Sequence, residues 1–167
     1  MHDELTRKDI EKMREELEYR RLTLHPEILE EVKRTRAFGD LSENYEYKAA
    51  KQAQRENMSR MRYLDGMIKS ARVISDRSAE DEVGLFDLVE IFLPEEGCTE
   101  TIRVVTTVRC DPRRGLISKE SPFGLAVLGK RVGDRFTVQV SESYRYEAEI
   151  RSITKDSDDG SVPLMGY

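Results

Sequence analysis

The stretch FGDLSENYEY (residues 38–47) lies between two long charged segments, and its reading decides the fold. Both flanking segments carry apolar residues at helical spacing, so the single glycine between them, Gly39, predicts that one helix stops and the chain reverses into another. A left-handed stop at Gly39 followed by Asp40-x-x-Glu43 fits a capping box, with Asp40 accepting from the Glu43 amide. At the head of a helix, side chains at i and i+3 also share one face, so the same two carboxylates could hold one hard divalent cation. Two carboxylates are too few for tight binding, because a small cation keeps several waters and takes further oxygen ligands; the rest would come from a partner. Both readings rest on the same residues and stay open at this point.

Outward from the turn, the two arms match. Ile10, Met13, Leu17 and Leu24 follow at gaps of three, four and seven, while Ala50, Ala53, Asn57, Met61, Leu64, Ile68 and Ala71 form one narrow stripe. One narrow stripe needs one narrow partner, which predicts an antiparallel two-helix coiled coil with arms of roughly 45 Å. Pro26 lacks an amide donor and disfavours a helical His25, so a break or kink is expected there, and the steps of four at Leu24, Ile28 and Val32 slip the apolar phase. Lys48, Lys51, Arg55, Arg62 and Lys69 line one side of the second arm. They form either a basic track facing RNA or pairs with Glu11, Glu15 and Glu18 of the first arm. Tyr45 and Tyr47 are expected to pack near the end of the hairpin.

From about Val83 the period changes to two. The runs FDLVEIFL (86–93), TETIRVVTTV (99–108), RFTVQV (135–140) and YRYEAEIRSI (144–153) predict a small antiparallel sheet. Between them, SPFGLAVLGKRVGD (121–134) offers Ser121 as cap and Pro122 at the first position of one short helix, with Leu125, Val127 and Leu128 as packing residues. The whole is an α+β chain with a hairpin at 1–75, a polar linker at 76–84, a sheet domain at 85–154 and a flexible tail at 155–167.

Composition narrows the function. The 167 residues carry a net charge of -5, with 37% charged residues and no Trp, so indiscriminate grip on a nucleic-acid backbone is excluded as the main activity. Two isolated cysteines and two isolated histidines leave almost no material for a zinc site or a nucleophilic triad. The charged start and the absence of a long apolar run predict a soluble, cytoplasmic chain without a membrane segment.

GDLSENYEYKAAKQ (39–52) resembles the hairpin-tip signature of the bacterial Gre transcript-cleavage and elongation factors (GreA/GreB). SPFGLAVLGKRVGD is similar to a segment of that family's C-terminal domain, and the likeness in order and spacing runs from about Leu5 to Ile153. The resemblance implies that the coiled coil enters the secondary channel of bacterial RNA polymerase while an FKBP-like C-terminal domain docks at the channel mouth. It further implies that Asp40 and Glu43 support an Mg²⁺ ion shared with the polymerase active site, so that the RNA 3′ end of a backtracked complex is cut. On this reading the chain is a monomeric accessory factor rather than a free-standing enzyme. Phe38, Leu41, Ser42, Asn44, Ser121, Pro122 and Gly124 are its expected partner contacts, and Lys48, Lys51 and Arg55 are its candidates for facing nascent RNA. An inhibitory channel binder with the same fold is the alternative. Tyr45 stands where the family often has Ala, Lys48 where it often has His or Gln, and VGLFDLVEI lacks the family's usual glycine just before the first strand.

Overall fold

The computed structural model describes residues 3–39 and 43–166. The chain divides into two units, one built on residues 10–71 and the other on residues 4–9 together with 72–166.

The first unit is a helical hairpin. Helix α1 (Arg7–Tyr19), whose first turn belongs to the second unit, passes through a π-helical turn (Arg20–Leu24) into α2 (His25–Arg36), and α3 (Tyr45–Ser70) returns alongside. The π turn is the physical answer to Pro26. The His25 amide donates to Arg20 O, five residues back, so the backbone widens where Pro26 has no donor, and the chain stays helical through the expected break. The extra residue in that turn also absorbs the slip in apolar phase between Leu17 and Ile28.

Cross-arm contacts run antiparallel, Glu16 meeting Arg60, Arg20 meeting Asn57, and Thr35 meeting Asn44. Met13, Leu17, Ala50 and Leu64 are buried between the arms, with Asn57 and Arg60 buried among them. Arg60 donates to both Glu16 oxygens (2.8 and 2.9 Å), Arg20 adds a bond to Glu16 (2.7 Å), and its other end reaches Asn57 Oδ1 (3.0 Å). These bonds keep the Glu16 carboxyl below its ordinary range, the Arg60 hydrogen bond most of all, against the upward push of burial. A polar group set in a narrow apolar seam fixes register, since a slip would strand it without partners.

The second unit begins with a short parallel pair, β1 (Glu4–Leu5) on β2 (Arg72–Val73). It continues as strands β3 (Leu88–Leu93), β4 (Cys98–Val105) and β5 (Leu116–Ser118), helix α4 (Pro122–Val127), then β6 (Arg135–Gln139) and β7 (Arg145–Thr154). The sheet order is β5-β4-β3-β7-β6. Every pairing is antiparallel except β4 with β5, so the sheet is mixed where the sequence predicted an antiparallel one. Three residues are too few for LIS (116–118) to show a period, which is why β5 was not legible. Val89, Ile91, Ile102, Val104, Phe136, Val138, Ala148 and Ile150 fill the core, and Val127 of α4 packs against them. Phe86 is buried here with φ +68, a left-handed backbone at the approach to β3.

Two expectations about the flanks change. Val83 of the linker is buried in this core. The tail at 155–167 is packed over its described part rather than flexible, because it carries both apolar and charged anchors. Val162 joins the core, and Asp158 takes both nitrogens at the end of the buried Arg109 guanidinium (2.6 Å each). Arg109 also donates to Asp9 (2.6 Å) and stacks 5.1 Å from the Phe86 ring. Asp9 is half of a capping box, accepting from the Thr6 amide (2.8 Å) while its own amide donates to Thr6 Oγ1 (3.2 Å). Lys155 and the Asp156 amide meet the buried Asp87 in the same way, at 2.6 and 3.0 Å.

Candidate functional site

At the far end of α2 the helix winds down through hydrogen bonds from the Ala37 amide to Lys33 O and the Phe38 amide to Thr35 O. Gly39 then takes φ +98, the left-handed conformation expected from its position. The helix that follows opens later than predicted. Its cap is Asn44, which accepts from the Tyr47 amide (3.0 Å), and α3 starts at Tyr45. The predicted box on Asp40 and Glu43 is therefore not how α3 is capped. The same Asn44 donates to Thr35 O (2.7 Å), which also accepts from the Phe38 amide, so one side chain caps α3 and ties it to the last turn of α2. The Asn side-chain amide carries both a donor and an acceptor, so one residue makes both bonds.

Around this clamp lies a mixed charge set. Arg34 donates to both oxygens of Glu31 (2.9 and 2.5 Å) and stands 3.6 Å from Glu46 across the arms. The Arg34 bond holds the Glu31 carboxyl below its usual range. Glu43 differs: it is exposed, in the bend before the cap, and has no hydrogen bond or ion pair among the described residues. Because Glu43 precedes the helix, the i, i+3 argument on a helical face does not apply to it. Asp40, Leu41 and Ser42 lie outside the described residues.

Two aromatic side chains stand out from the same end. Phe38 is 55% exposed with the Arg34 guanidinium 5.2 Å from its ring centroid. Tyr45 is 80% exposed, with the Lys48 ammonium 5.6 Å from its ring, while Tyr47 is half-buried. The expectation that Tyr45 packs is thus overturned: as first residue of α3 it points away from the seam that Tyr47 joins. In the basic stripe, Lys51 donates to Gln54, Arg55 to Gln52 and Lys69 to Asp65, all on α3 itself. Across the arms, Glu16 pairs with Arg60, residues outside the sets expected to pair.

In the second unit, Ser121 and Pro122 open α4 as expected, Ser121 accepting from the Gly124 amide (3.0 Å) and donating to Ser118 O (2.7 Å). Gly124 is required by space, since a Cβ there would sit 2.2 Å from Ser118 O. Leu125, predicted to pack, is 70% exposed, because so short a helix buries only the side bearing Phe123 and Val127. A concavity of about 280 Å³ opens near the start of α4, lined by Ile91, Ile102, Phe123, Tyr144 and Tyr146, with Glu96 and Glu100 at its edge. Burial raises the Tyr146 hydroxyl pKa. Three aromatics converge there from segments distant in sequence, which no local pattern reveals. Glu96, Cys98 and Glu100 offer ligand atoms within 4.8 Å of one another, but burial and the Glu96 contact push the Cys98 thiol up, which disfavours a metal-binding thiolate.

A helical hairpin whose far end carries the exposed Glu43, followed by a mixed sheet with one short helix, defines a two-part α+β protein. Family comparison agrees with that division. The model described as transcription elongation factor, N-terminal, matches residues 4–73, and that of transcription elongation factor, GreA/GreB, C-term, matches residues 78–155. The chain belongs to the GreA/GreB family of transcription elongation factors. Transcription elongation factor GreA of Geobacillus kaustophilus is 41% identical over 136 residues, covering 81% of this chain and 86% of the relative. That of Mesoplasma florum is 36% identical over 151 residues, covering 89% and 96%. Among solved structures, the transcription factor Gfh1 matches at 24% identity over 99% of both chains, with a TM-score of 0.45. No helix among the described residues is long and apolar enough to cross a membrane.

Proposed function

We propose that this elongation factor binds the secondary channel of RNA polymerase and stimulates endonucleolytic cleavage of the RNA 3′ end in backtracked complexes, returning them to elongation. The observation that carries the reading is Glu43, an exposed carboxylate without a partner among the described residues, beside carboxylates that Arg34 has already engaged. The carboxylate oxygens of Glu43 and Asp40 are the hard donors that Mg²⁺ takes, and they are too few to hold it without the polymerase. When bound, the ion supplies Lewis-acid activation of the attacking water. The chain's own part is positional. Asn44 fixes the start of α3 against the end of α2, so Glu43 is presented from a mount with little freedom. The chain itself is an accessory to the polymerase's hydrolytic activity, with Ser121, Pro122 and Gly124 on the docking side of the sheet domain.

The test is Mg²⁺-dependent shortening of labelled RNA in a purified backtracked polymerase complex from the same organism, with wild type and with Asp40→Asn plus Glu43→Gln. Cleavage by wild type that the double variant loses while still binding polymerase supports the proposal. Binding without cleavage by the wild type would make the protein a channel-occupying inhibitor instead.

A further inference from the structure

Among the described residues, Tyr45 is the most exposed of the large apolar and aromatic side chains, at 80%. It follows Glu43 by two residues, and the Lys48 ammonium lies 5.6 Å from its ring one helical turn on. Its backbone is held firmly, because the Asn44 side chain ties the first turn of α3 to Thr35 O and the Lys48 amide donates to Asn44 O (3.1 Å). Exposing an aromatic ring forgoes its burial, yet here a rigid mount presents it to solvent beside a cation. An aromatic face with a neighbouring ammonium is the combination that single-stranded nucleic acid selects, the ring stacking on a base and the cation meeting the adjoining phosphate.

We infer that Tyr45 is a stacking platform for an unpaired base of the RNA 3′ segment, with Lys48 at its phosphate, holding the strand in place beside Glu43. The inference rests on the cleavage function proposed above. It assigns RNA contact to a ring rather than to a stripe of charge, which suits a chain of net charge -5.

Two measurements separate this inference from the reading beneath it. In the cleavage assay at limiting factor, Tyr45→Ala should slow RNA shortening by about tenfold, the loss of one base–aromatic stack. Tyr45→Phe and Tyr45→Trp should stay within about twofold of wild type, and Tyr45→Leu, apolar but without a π face, should behave as Ala. Thermal melting should not move, since the side chain is exposed. Independently of cleavage, p-benzoylphenylalanine at position 45 should photocrosslink to labelled RNA in backtracked complexes and not in post-translocated ones. If wild type fails to cleave, the function falls while the crosslink still decides the stacking. Crosslinking only to polymerase polypeptide, or Tyr45→Ala cleaving as fast as wild type, would overturn the inference.

Discussion

Phe86 sits with φ +68, a conformation that costs an L-residue about 1 kcal/mol or more, so the native contacts must outweigh it. The contacts are visible: the ring is buried, lies 5.1 Å from the Arg109 guanidinium, and the Phe86 amide donates to Val104 O at 2.8 Å. Truncating a buried Phe costs about 3–5 kcal/mol, which exceeds the strain relieved. Phe86→Gly is therefore expected to destabilise by about 2–4 kcal/mol, the Phe truncation loss less the strain relieved, as a lower urea midpoint. A midpoint at or above wild type would mean that strain dominates. That Phe86 takes this conformation was not legible in the sequence, because φ is not written in a residue's identity. Asn44 teaches the same lesson at the tip. Asp40 and Glu43 made a plausible capping box, but Asn44 can bond to two helix ends at once, and that advantage exists only once α2 and α3 are adjacent.

At the scale of elements, the hairpin sets a buried polar crossing, Glu16 with Arg60, Arg20 and Asn57, into its apolar seam. The Glu16 carboxyl titrates lower in the folded protein than its ordinary value of 4.5, so its contribution is fully present above that value and is lost as pH falls through the folded pKa. Glu16→Gln should consequently destabilise the hairpin most near neutral pH, and the difference from wild type should shrink below about pH 4.5. Urea melts followed by helical circular dichroism at pH 7 and pH 3.5 check this; a difference independent of pH would show that the carboxylate charge contributes nothing. Periodicity alone located both arms, because an amphipathic stripe is a local property. The π turn was foreshadowed by Pro26 and the steps of four, yet a kink and a π turn leave the same trace in the sequence.

Across the whole chain, the strongest ties join residues that are far apart in number. Arg109 gathers Asp9, 100 residues away, and Asp158, 49 residues away, in one dry cluster of the second unit. Removing the guanidinium leaves two carboxylates buried against each other, a loss of about 3–5 kcal/mol. Arg109→Met should therefore lower the urea midpoint sharply and speed hydrogen exchange at the amides of Thr6 and Asp9. Unchanged exchange at those amides would show that the cluster does not hold the N-terminal segment in this unit.

The sequence by itself determined the two periods, the reversal at Gly39 and the short helix begun by Ser121 and Pro122, since each depends on neighbours within a few residues. Tertiary structure alone decided that the polar end of the chain is docked, that β5 joins β4 in parallel, that Tyr45 faces solvent and that Asn44 caps α3. The reason is physical. The polar tail at 155–167 was expected to be flexible, but a single buried arginine elsewhere supplies the partner that makes burying Asp158 favourable, and such a partner becomes visible only when the chain has been brought together.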